Sequence, residues 1–329
     1  KVELWANEPL LANGVAFSPD ERGRWYVAET YRQEGRNVDG KPILGGVVDN
    51  RGHMNWLDAD IASRTTEERL AMMRKFYPDE KKFAERFTKH EERITCVLDS
   101  NGDGVADQSK VFADGFRDPL DGTGAGIIAR GGEVWWTCIP SLWRFRDADG
   151  DGRADQQDKL LTGFGVKFAF RGHDMHGLRF GPDGKLYFTI GDRALNVTTP
   201  SGRKVEETET GAVMRCNPDG SGFELFATGV RNPQELAFNE VGDLFTGDNN
   251  SDGGDRARFV HVVEGGDSGW RMAYQYLNDR GPWNREKLWD EKEAPNAKYL
   301  VPPIANLGDG PSGLTFNPGH GLSAKYRGQ

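Results

Sequence analysis

Short apolar segments rich in β-branched and aromatic residues recur along the chain, separated by turns of glycine, aspartate and proline. The clearest example is Gly177–Ile190, in which a Gly-Pro-Asp-Gly turn joins two such segments. Proline presets φ for a tight reversal, the Asp-Gly pair supplies positive φ, and the flanking residues favour strands. The pattern therefore predicts a β-hairpin over Gly177–Ile190.

This hairpin pattern repeats, with a consensus of G-L-x-F-x-P-D-G-x-L-Y. The copies begin at Gly14, Gly126, Gly177, Glu235 and Gly313. The spacing between copies is enough for a four-stranded propeller blade, which takes about 40–50 residues, and leaves room for insertions. Further strand-like pairs lie between the hairpins, at 94–98 with 110–112, 142–146 with 159–161, and 212–215 with 224–227. The sequence predicts an all-β fold: a six-bladed β-propeller, with about five blades represented, in which residues 1–329 form a single domain.

The sequence leads to one prediction for each end of the chain. The fifth hairpin copy, at Gly313–Gly319, lacks its second strand. Because a propeller closes its ring with the last blade and so removes exposed sheet edges, we expect the closing strands to lie C-terminal to Gln329. The chain begins at Lys1 without a methionine, which is typical of a processed or trimmed N-terminus.

One segment departs from the strand pattern and predicts a helical insertion over residues 61–92. Thr65 with Glu68 matches a capping box at the start of a helix. Pro78 ends that helix, and Asp79 is placed to cap a second one. Two interpretations stay open: an insertion packed on the propeller rim, or a lid or partner site.

Composition excludes several classes of function. The net charge is −9, whereas nucleic-acid binding needs basic patches, so we expect no nucleic-acid partner. No apolar run approaches the about 20 residues of a transmembrane helix, so no membrane span is expected. The cysteines at 96, 138 and 216 form no metal or haem motif. Buried thiols are favoured for them, with one disulfide as the alternative.

Two aspartate-rich loops match the pattern D-x-[DN]-x-D-G-x-x-D. Carboxylates at alternate positions converge on a hard cation when the chain curls, and position 7 offers a backbone carbonyl. The sequence therefore predicts calcium at these loops, in a structural role, with metal-free hairpin turns as the alternative. The predicted ligands are Asp99, Asn101, Asp103, Val105 and Asp107 in the first loop and Asp147, Asp149, Asp151, Arg153 and Asp155 in the second.

A polar cluster stands before the third hairpin. It contains His173, Asp174 and His176. A neutral imidazole accepts a proton near pH 7, so His173 is a candidate general base, while a metal site and a surface or core histidine are the alternatives. One repeat later, Arg231 and Asn232 occupy the corresponding position and are candidates for contacts with carboxylates or quinone oxygens, with a structural turn as the alternative.

The motifs R-N-P-Q-x-L-A-F, N-S-D-G-G-D and V-x-G-G-x-x-G-W resemble the glucose/sorbosone dehydrogenase family, soluble aldose dehydrogenases that use pyrroloquinoline quinone (PQQ). The combination D-x-D-G-D-G-x-A-D, H-D-M-H-G-L and D-G-P-S-G-L is similar to a planctomycete-type membrane-associated or secreted branch. The resemblance implies PQQ as cofactor, a sugar or alcohol substrate, a c-type cytochrome as electron acceptor, and a periplasmic or secreted location. It implies His173 as the general base and, as cofactor contacts, Arg231, Asn232, His176, Asp192 and Arg193.

The chain departs from the family pattern in three places. Gly172 stands where an acidic residue usually precedes the base, and Arg193 stands where glutamine is common. Asn249 and Asn250 stand where the family has a proline that helps to bind the cofactor's calcium. A second function therefore stays open: a non-catalytic, calcium-stabilised propeller module that binds glycans or proteins in a larger redox or surface assembly. A calcium-dependent lactonase-type propeller is a third.

Overall fold

The predicted hairpins form antiparallel sheets in the computed structural model, which describes residues 3–32, 35–36, 42–43, 54–168, 172–320 and 322–328. In chain order the strands are β1 (Gly14–Pro19), β2 (Trp25–Glu29), β3 (Gly35–Arg36), β4 (Pro42–Ile43), β5 (Glu92–Leu98), β6 (Gln108–Phe116), β7 (Gly126–Arg130), β8 (Glu133–Cys138), β9 (Ser141–Arg146), β10 (Gln156–Thr162), β11 (Met175–Phe180), β12 (Leu186–Ile190), β13 (Leu195–Thr198), β14 (Lys204–Glu207), β15 (Gly211–Cys216), β16 (Glu224–Val230), β17 (Pro233–Phe238), β18 (Leu244–Asp248), β19 (Ala257–Val262) and β20 (Ala305–Leu307).

Within the described residues, these strands build four four-stranded sheets, ordered β1-β2-β5-β6, β7-β8-β9-β10, β11-β12-β15-β16 and β17-β18-β19-β20. Each sheet begins with one predicted hairpin, and the first three continue with the predicted outer pair. Two short ribbons, β3-β4 and β13-β14, are insertions. The all-β prediction is confirmed. The fifth hairpin copy forms no strand at Gly313–Gly319, where the described backbone is irregular.

The helical insertion lies between the second and third strands of the first sheet. It consists of α1 (Leu57–Ala62), α2 (Thr66–Phe76) and α3 (Glu80–Phe87), preceded by a 3₁₀ turn over Met54–Trp56. Thr65 caps α2 by accepting a hydrogen bond from the N–H of Glu68, and Asp79 caps α3 by accepting from the N–H of Lys82. The helices begin at Leu57, before the predicted start at residue 61, and end at Phe87, before the predicted end at residue 92. A fourth helix, α4 (Pro282–Arg285), and 3₁₀ turns at Met272–Tyr276, Asn278–Arg280, Ala294–Asn296 and Ala324–Tyr326 lie later in the chain.

The chain divides into two compact units, Lys1–Met175 and His176–Gln329. The interpretation of residues 1–329 as one domain stays a prediction. In the first unit, the core between the first two sheets is aromatic: Phe116 lies edge-on to Trp136 with ring centroids 4.6 Å apart. Gly124 passes so close to this core that a β-carbon there would lie 2.0 Å from the Trp136 ring, so only glycine fits.

In the second unit, two apolar clusters form the core. One lies between the two sheets and contains Tyr187, Val213, Leu236, Leu244 and Val262. The other is made by the long connection after β19, where Trp270 and Trp283 are fully buried and lie edge-to-face with centroids 5.1 Å apart. The three cysteines are free and buried, which confirms the thiol interpretation.

Candidate functional site

His173, the predicted base, lies in the polar turn that leads into β11. Gly172 before it has φ of +77°, a left-handed conformation that favours glycine. The side chain of His173 is 3% exposed and that of Asp174 is fully buried. Oδ1 of Asp174 accepts a hydrogen bond of 3.3 Å from the backbone N–H of Thr123, which ties the turn to the loop before β7. The histidine therefore stands on a buried, braced segment.

The chain that leads to this turn is fastened to the helical insertion. Lys167 is 1% exposed, and its ammonium donates hydrogen bonds to the carbonyl oxygens of Ile61 and Ser63 at the end of α1. A lysine at this position satisfies carbonyls that the last helical turn leaves unpaired. The N–H of Phe168 donates to the carboxylate of Asp60, and the Phe168 ring joins the core of the insertion. The insertion thus anchors the segment before His173.

Glu92, at the start of β5, is a buried carboxyl group that the sequence patterns did not single out. Its carboxylate accepts hydrogen bonds from the N–H groups of Gly124 (3.0 Å) and Arg32 (3.1 Å) and from the hydroxyl of Thr30 (2.8 Å). Burial outweighs these bonds and raises the pKa of Glu92 to about 7. Gly124 directly follows Thr123, so one loop contacts both this carboxyl group and the histidine turn.

In the second unit, a buried ion pair between Asp248 and Arg258 holds the turn before β17. The two side chains are at most 1% exposed. Oδ1 of Asp248 accepts hydrogen bonds from the N–H groups of Arg231 (2.9 Å) and Asn232 (2.7 Å), and Arg258 donates to the carbonyl oxygen of Gly229 (3.3 Å). Charge-assisted bonds of this kind are stronger than neutral ones. The pair therefore fixes the backbone that carries two of the predicted contacts.

The guanidinium group of Arg231 is directed into the acidic loop after β18. Its Nε donates to Oε1 of Gln275 at 3.0 Å, and Nη1 donates to the carbonyl oxygen of Asn250. Nη2 lies 3.7 Å from the carboxylate of Asp252, and the group stands 5.6 Å from the centroid of the Trp270 ring. Burial lowers the pKa of Arg231. The surrounding carboxylates act in the opposite direction, but their effect is smaller. The assignment of Arg231 as a cofactor contact stays a prediction.

Asn232 offers a buried acceptor on the same turn. Its side chain is 3% exposed, and its Oδ1 has no hydrogen-bond partner among the residues that the structure describes. Buried side-chain oxygens in proteins normally have a partner, with bound molecules and ordered water included among the partners. This oxygen is therefore a candidate contact for a ligand that donates a hydrogen bond.

Asp192 is joined to the Arg231 turn in the second unit. Its backbone N–H donates to the carbonyl oxygen of Arg231 at 2.8 Å, and its Oδ2 accepts from the indole N–H of Trp270 at 3.0 Å. Arg193 and His176 are also buried, at 2% and 7% exposure. The structure thus brings Asp192 and Arg231 together, and the cofactor-binding roles of all these residues stay predictions.

The first aspartate-rich loop joins β5 to β6 and curls around its own carboxylates. Asp99 accepts hydrogen bonds from the N–H groups of Gly102 (2.7 Å) and Gly104 (2.8 Å). Asp107 accepts from the N–H and the hydroxyl of Ser100, at 2.8 and 2.7 Å, and these bonds lower the pKa of Asp107. The other predicted ligands on this loop are Asn101, Asp103 and Val105. The loop has the predicted curl, and its calcium stays a prediction.

The second aspartate-rich loop joins β9 to β10 and gathers carboxylates more tightly. Single oxygens of Asp147, Asp149 and Asp151 lie within 4.8 Å of one another. Arg24 donates to Asp147 at 2.8 Å, and the ammonium of Lys110 lies 3.0 Å from Asp151. The remaining predicted ligands on this loop are Arg153 and Asp155. Protein cations thus already neutralise part of this cluster, where a metal ion would compete with them.

The sequence repeat contains a signal for the hydrogen bonds of Asp248, which the motifs above did not predict. Three hairpins carry an acid at or just after the end of their second strand: Glu29, Asp192 and Asp248. Glu29, like Asp248, accepts a hydrogen bond from the backbone before the inner strand of its own sheet, in this case from the N–H of Ala12 at 2.7 Å. Alignment of the repeats therefore marks this position, and the basic partner is repeated as well: Arg93 on the third strand of the first sheet pairs with Glu29, as Arg258 on the third strand of the fourth sheet pairs with Asp248.

Comparison with protein families gives a match over most of the chain. Residues 1–265 match the family described as a domain of unknown function, DUF7133. The chain belongs to this family. That description assigns no function to the domain.

One curated relative is quinoprotein glucose dehydrogenase B of Acinetobacter calcoaceticus. It is 31% identical over 135 residues, which is 33% of this chain and 28% of the relative. This partial similarity supports the predicted resemblance to the glucose/sorbosone dehydrogenases. The narrower planctomycete-type branch stays a prediction.

Two solved structures share the fold. The PQQ-bound aldose sugar dehydrogenase of Streptomyces coelicolor matches with a TM-score of 0.52 and 17% identity, over 94% of this chain and 73% of that one. An oxidoreductase described as a glucose dehydrogenase from Thermus thermophilus matches with a TM-score of 0.52 and 16% identity, over 94% and 74%. These matches confirm the β-propeller fold; the described residues form about four blades, where the sequence predicted about five.

Proposed function

We propose that this chain is the propeller of a sugar dehydrogenase that uses PQQ. The observation that carries the proposal is the buried side-chain oxygen of Asn232, which has no hydrogen-bond partner among the described residues and stands on a turn whose R-N-P-Q sequence resembles the glucose/sorbosone dehydrogenases. The similarity to a quinoprotein glucose dehydrogenase supports it. A buried amide oxygen without a partner fits a ligand that donates hydrogen bonds, as a sugar hydroxyl does.

Each predicted site residue has a role in this proposal. His173, as neutral imidazole, takes the proton of the sugar hydroxyl that is oxidised. Asn232 accepts a hydrogen bond from the ligand, and Arg231 holds the turn that presents Asn232. Further cofactor contacts are assigned to His176, Asp192 and Arg193. PQQ, when bound, supplies the two-electron acceptor for the hydride.

The test is dye-linked oxidation of a panel of aldoses by the full chain after addition of PQQ and calcium. We expect His173→Gln to lower the rate by about 10²–10⁴-fold, because general-base catalysis contributes that much. His261→Gln is the matched control, since His261 is 42% exposed and stacks on Phe245 in the fourth sheet. If the chain neither changes the absorption spectrum of PQQ nor oxidises any sugar of the panel, the proposal is wrong.

Calcium at the two aspartate-rich loops is part of the same proposal, in a structural role. The curled loops and the three converging carboxylates of the second loop support it. Ligand present at 100 times its dissociation constant stabilises the folded state by about 2.7 kcal/mol, so calcium should raise the melting temperature and chelator should lower it. Asp149→Asn should weaken that response, whereas Asp58→Asn, at an exposed acid on α1, should leave it unchanged.

Location and electron acceptor are proposed from the resemblance. We place the protein in the periplasm or outside the cell, with a c-type cytochrome as acceptor. None of the helices that the structure describes has the length and apolar character needed to cross a membrane. Cell fractionation and stopped-flow reduction of a cytochrome c by the sugar-loaded enzyme test the two statements separately.

A second candidate is a non-catalytic, calcium-stabilised module that binds glycans or proteins. The observation that favours it is the closed network of Arg231, Asp248 and Arg258, in which guanidinium donors are directed to protein carbonyls and carboxylates. Carboxylates of PQQ would need cationic donors that face the ligand. Stabilisation by calcium together with no spectral response to PQQ would favour this candidate over the dehydrogenase.

A further inference from the structure

A cleft of about 400 Å³ lies in the first unit, apart from the His173 turn. The start of α2, the loop after β6 and the outer strands of the second sheet form its walls. Its size falls within the about 300–1,000 Å³ that is typical of small-molecule pockets. The side chains that matter for the argument are Asp114, Asp118, Asp121, Trp143, Gln157 and Lys159.

Two aromatic side chains line this cleft, the buried Phe116 and the partly buried Trp143 on β9. The Trp143 ring packs against Phe116, edge-on with centroids 5.3 Å apart, and against Phe145, stacked at 6.3 Å. The ammonium of Lys159 stands 4.9 Å from the centroid of the Trp143 ring. A rigid ring of this kind offers an apolar platform at little cost in conformational entropy.

Fixed polar groups surround the ring. The N–H of Asp118 donates to Oδ2 of Asp121 at 2.8 Å, and the N–H of Leu120 donates to Oδ1 of Asp118 at 2.9 Å, so the loop that carries both acids is braced. Burial raises the pKa of Asp121 to about 6. The amide of Gln157 and the ammonium of Lys159 supply donors opposite these acceptors. Acceptors, donors and an aromatic platform thus converge on one space.

The charges decide which ligand suits the cleft. Anionic ligands are repelled by the carboxylates of Asp114, Asp118 and Asp121. An external cation is repelled by the ammonium of Lys159, which stands over the ring. A neutral ligand with many hydroxyl groups is repelled by neither charge. When it packs on the ring, the Lys159 ammonium moves aside, and the hydroxyls can accept a hydrogen bond from this ammonium and donate to the carboxylates. We propose that this cleft is a saccharide-binding subsite in which a sugar ring packs against Trp143.

This subsite does not depend on the proposed oxidation, because its occupancy is measured without turnover. The test is calorimetric titration of the full chain with maltotriose and cellotriose as neutral saccharides, and with glucuronate and glucosamine as anionic and cationic sugars. We expect at least one neutral saccharide to bind, and glucuronate and glucosamine to bind at least about tenfold more weakly, since a misplaced charge costs more than one ordinary hydrogen bond.

Two variants locate the binding. Gln157→Ala should weaken it by about three- to tenfold, the loss expected for one hydrogen bond. Gln156→Ala is the matched control, because neighbouring strand residues point to opposite faces and Gln156 instead accepts from Arg146. Trp143→Ala should abolish binding, and its circular dichroism spectrum shows whether it folds.

Three outcomes would overturn the proposal. The first is no saccharide binding at millimolar concentration. The second is tighter binding of glucosamine or glucuronate than of any neutral sugar, which would mean a charged ligand. The third is binding that Gln157→Ala leaves unchanged and Asn232→Ala removes, which would place the saccharide at the proposed dehydrogenase site instead.

Discussion

The buried pair of Asp248 and Arg258 gives the sharpest prediction from this structure. Both side chains are at most 1% exposed, and the carboxylate also accepts the N–H groups of Arg231 and Asn232. In Asp248→Asn, the amide oxygen can keep these two bonds, but the guanidinium loses its counter-charge. Arg258→Met removes the guanidinium and leaves the carboxylate uncompensated.

The magnitude follows from burial. Removal of one partner of a buried ion pair costs about 3–5 kcal/mol, because the charge that stays is desolvated and unpaired. We expect Arg258→Met to reach this range, since it also removes donors to the carbonyl oxygens of Ser268 and Gly229. Asp248→Asn should lie at its lower end. In the double variant no isolated charge is left, so the combined loss should be smaller than the sum by about 1–3 kcal/mol.

The assay is urea unfolding of all four members of the cycle, followed by tryptophan fluorescence and far-ultraviolet circular dichroism. Trp270 and Trp283 are buried in the same unit as the pair, so part of the fluorescence change reports on that unit, and circular dichroism reports on the sheets of both units. Arg74→Met is the control, because the Arg74–Glu80 pair is 47% and 76% exposed and such a surface pair contributes about 0–1 kcal/mol.

Either of two results would refute the reasoning. Single variants that lose less than about 1 kcal/mol would show that the pair is not desolvated in solution. Full additivity in the double variant would show that Asp248 and Arg258 do not interact, and hence that they do not hold the 229–232 turn together.

Three further predictions concern the first unit. Burial raises the pKa of Glu92 from its ordinary 4.5 to about 7, so the folded state binds this proton more tightly than the unfolded state, and the free energy of unfolding should fall by about 3 kcal/mol as pH rises from 4.5 to 7. In Glu92→Gln this fall should be absent from the urea midpoints, and a variant with the same pH dependence as the original protein would contradict the prediction. Gly124→Ala should destabilise by about 1–3 kcal/mol through its clash with Trp136, while Gly308→Ala, with open space around it, stays within about 0.5 kcal/mol by thermal melting. Thr65→Ala should cost about 1 kcal/mol by loss of the α2 cap, and an unchanged melting temperature would refute this.

Local chemistry explains the parts of the fold that the sequence predicted well. The Gly-Pro-Asp-Gly turn and its strands fold as a hairpin because proline and glycine fix the backbone over four residues. The caps at Thr65 and Asp79 depend on hydrogen bonds to residues three positions away. Such signals are contained in one short window, so no knowledge of the rest of the chain is needed.

Short stretches of sequence did not predict two features: the residue at which the helical insertion begins, and the irregular backbone at the last hairpin copy. The helix over Leu57–Ala62 is short, and its final carbonyls are satisfied by Lys167, which lies far along the chain. A six-residue helix is marginal in isolation, so tertiary contacts decide where it begins. At Gly313–Gly319 the first half of the hairpin pattern is present, yet a strand needs a partner that supplies its backbone hydrogen bonds.

For the candidate site, the sequence by itself determined which turns carry His173, Arg231 and Asn232, because the repeat places each turn before an inner strand. Only the tertiary structure decided what those side chains contact. It directs the Arg231 guanidinium into the loop after β18, leaves the Asn232 oxygen without a partner among the described residues, and joins Arg258 to Asp248. The physical reason is that a turn is specified by a few adjacent residues, whereas burial and charge pairing depend on which distant strands are packed together.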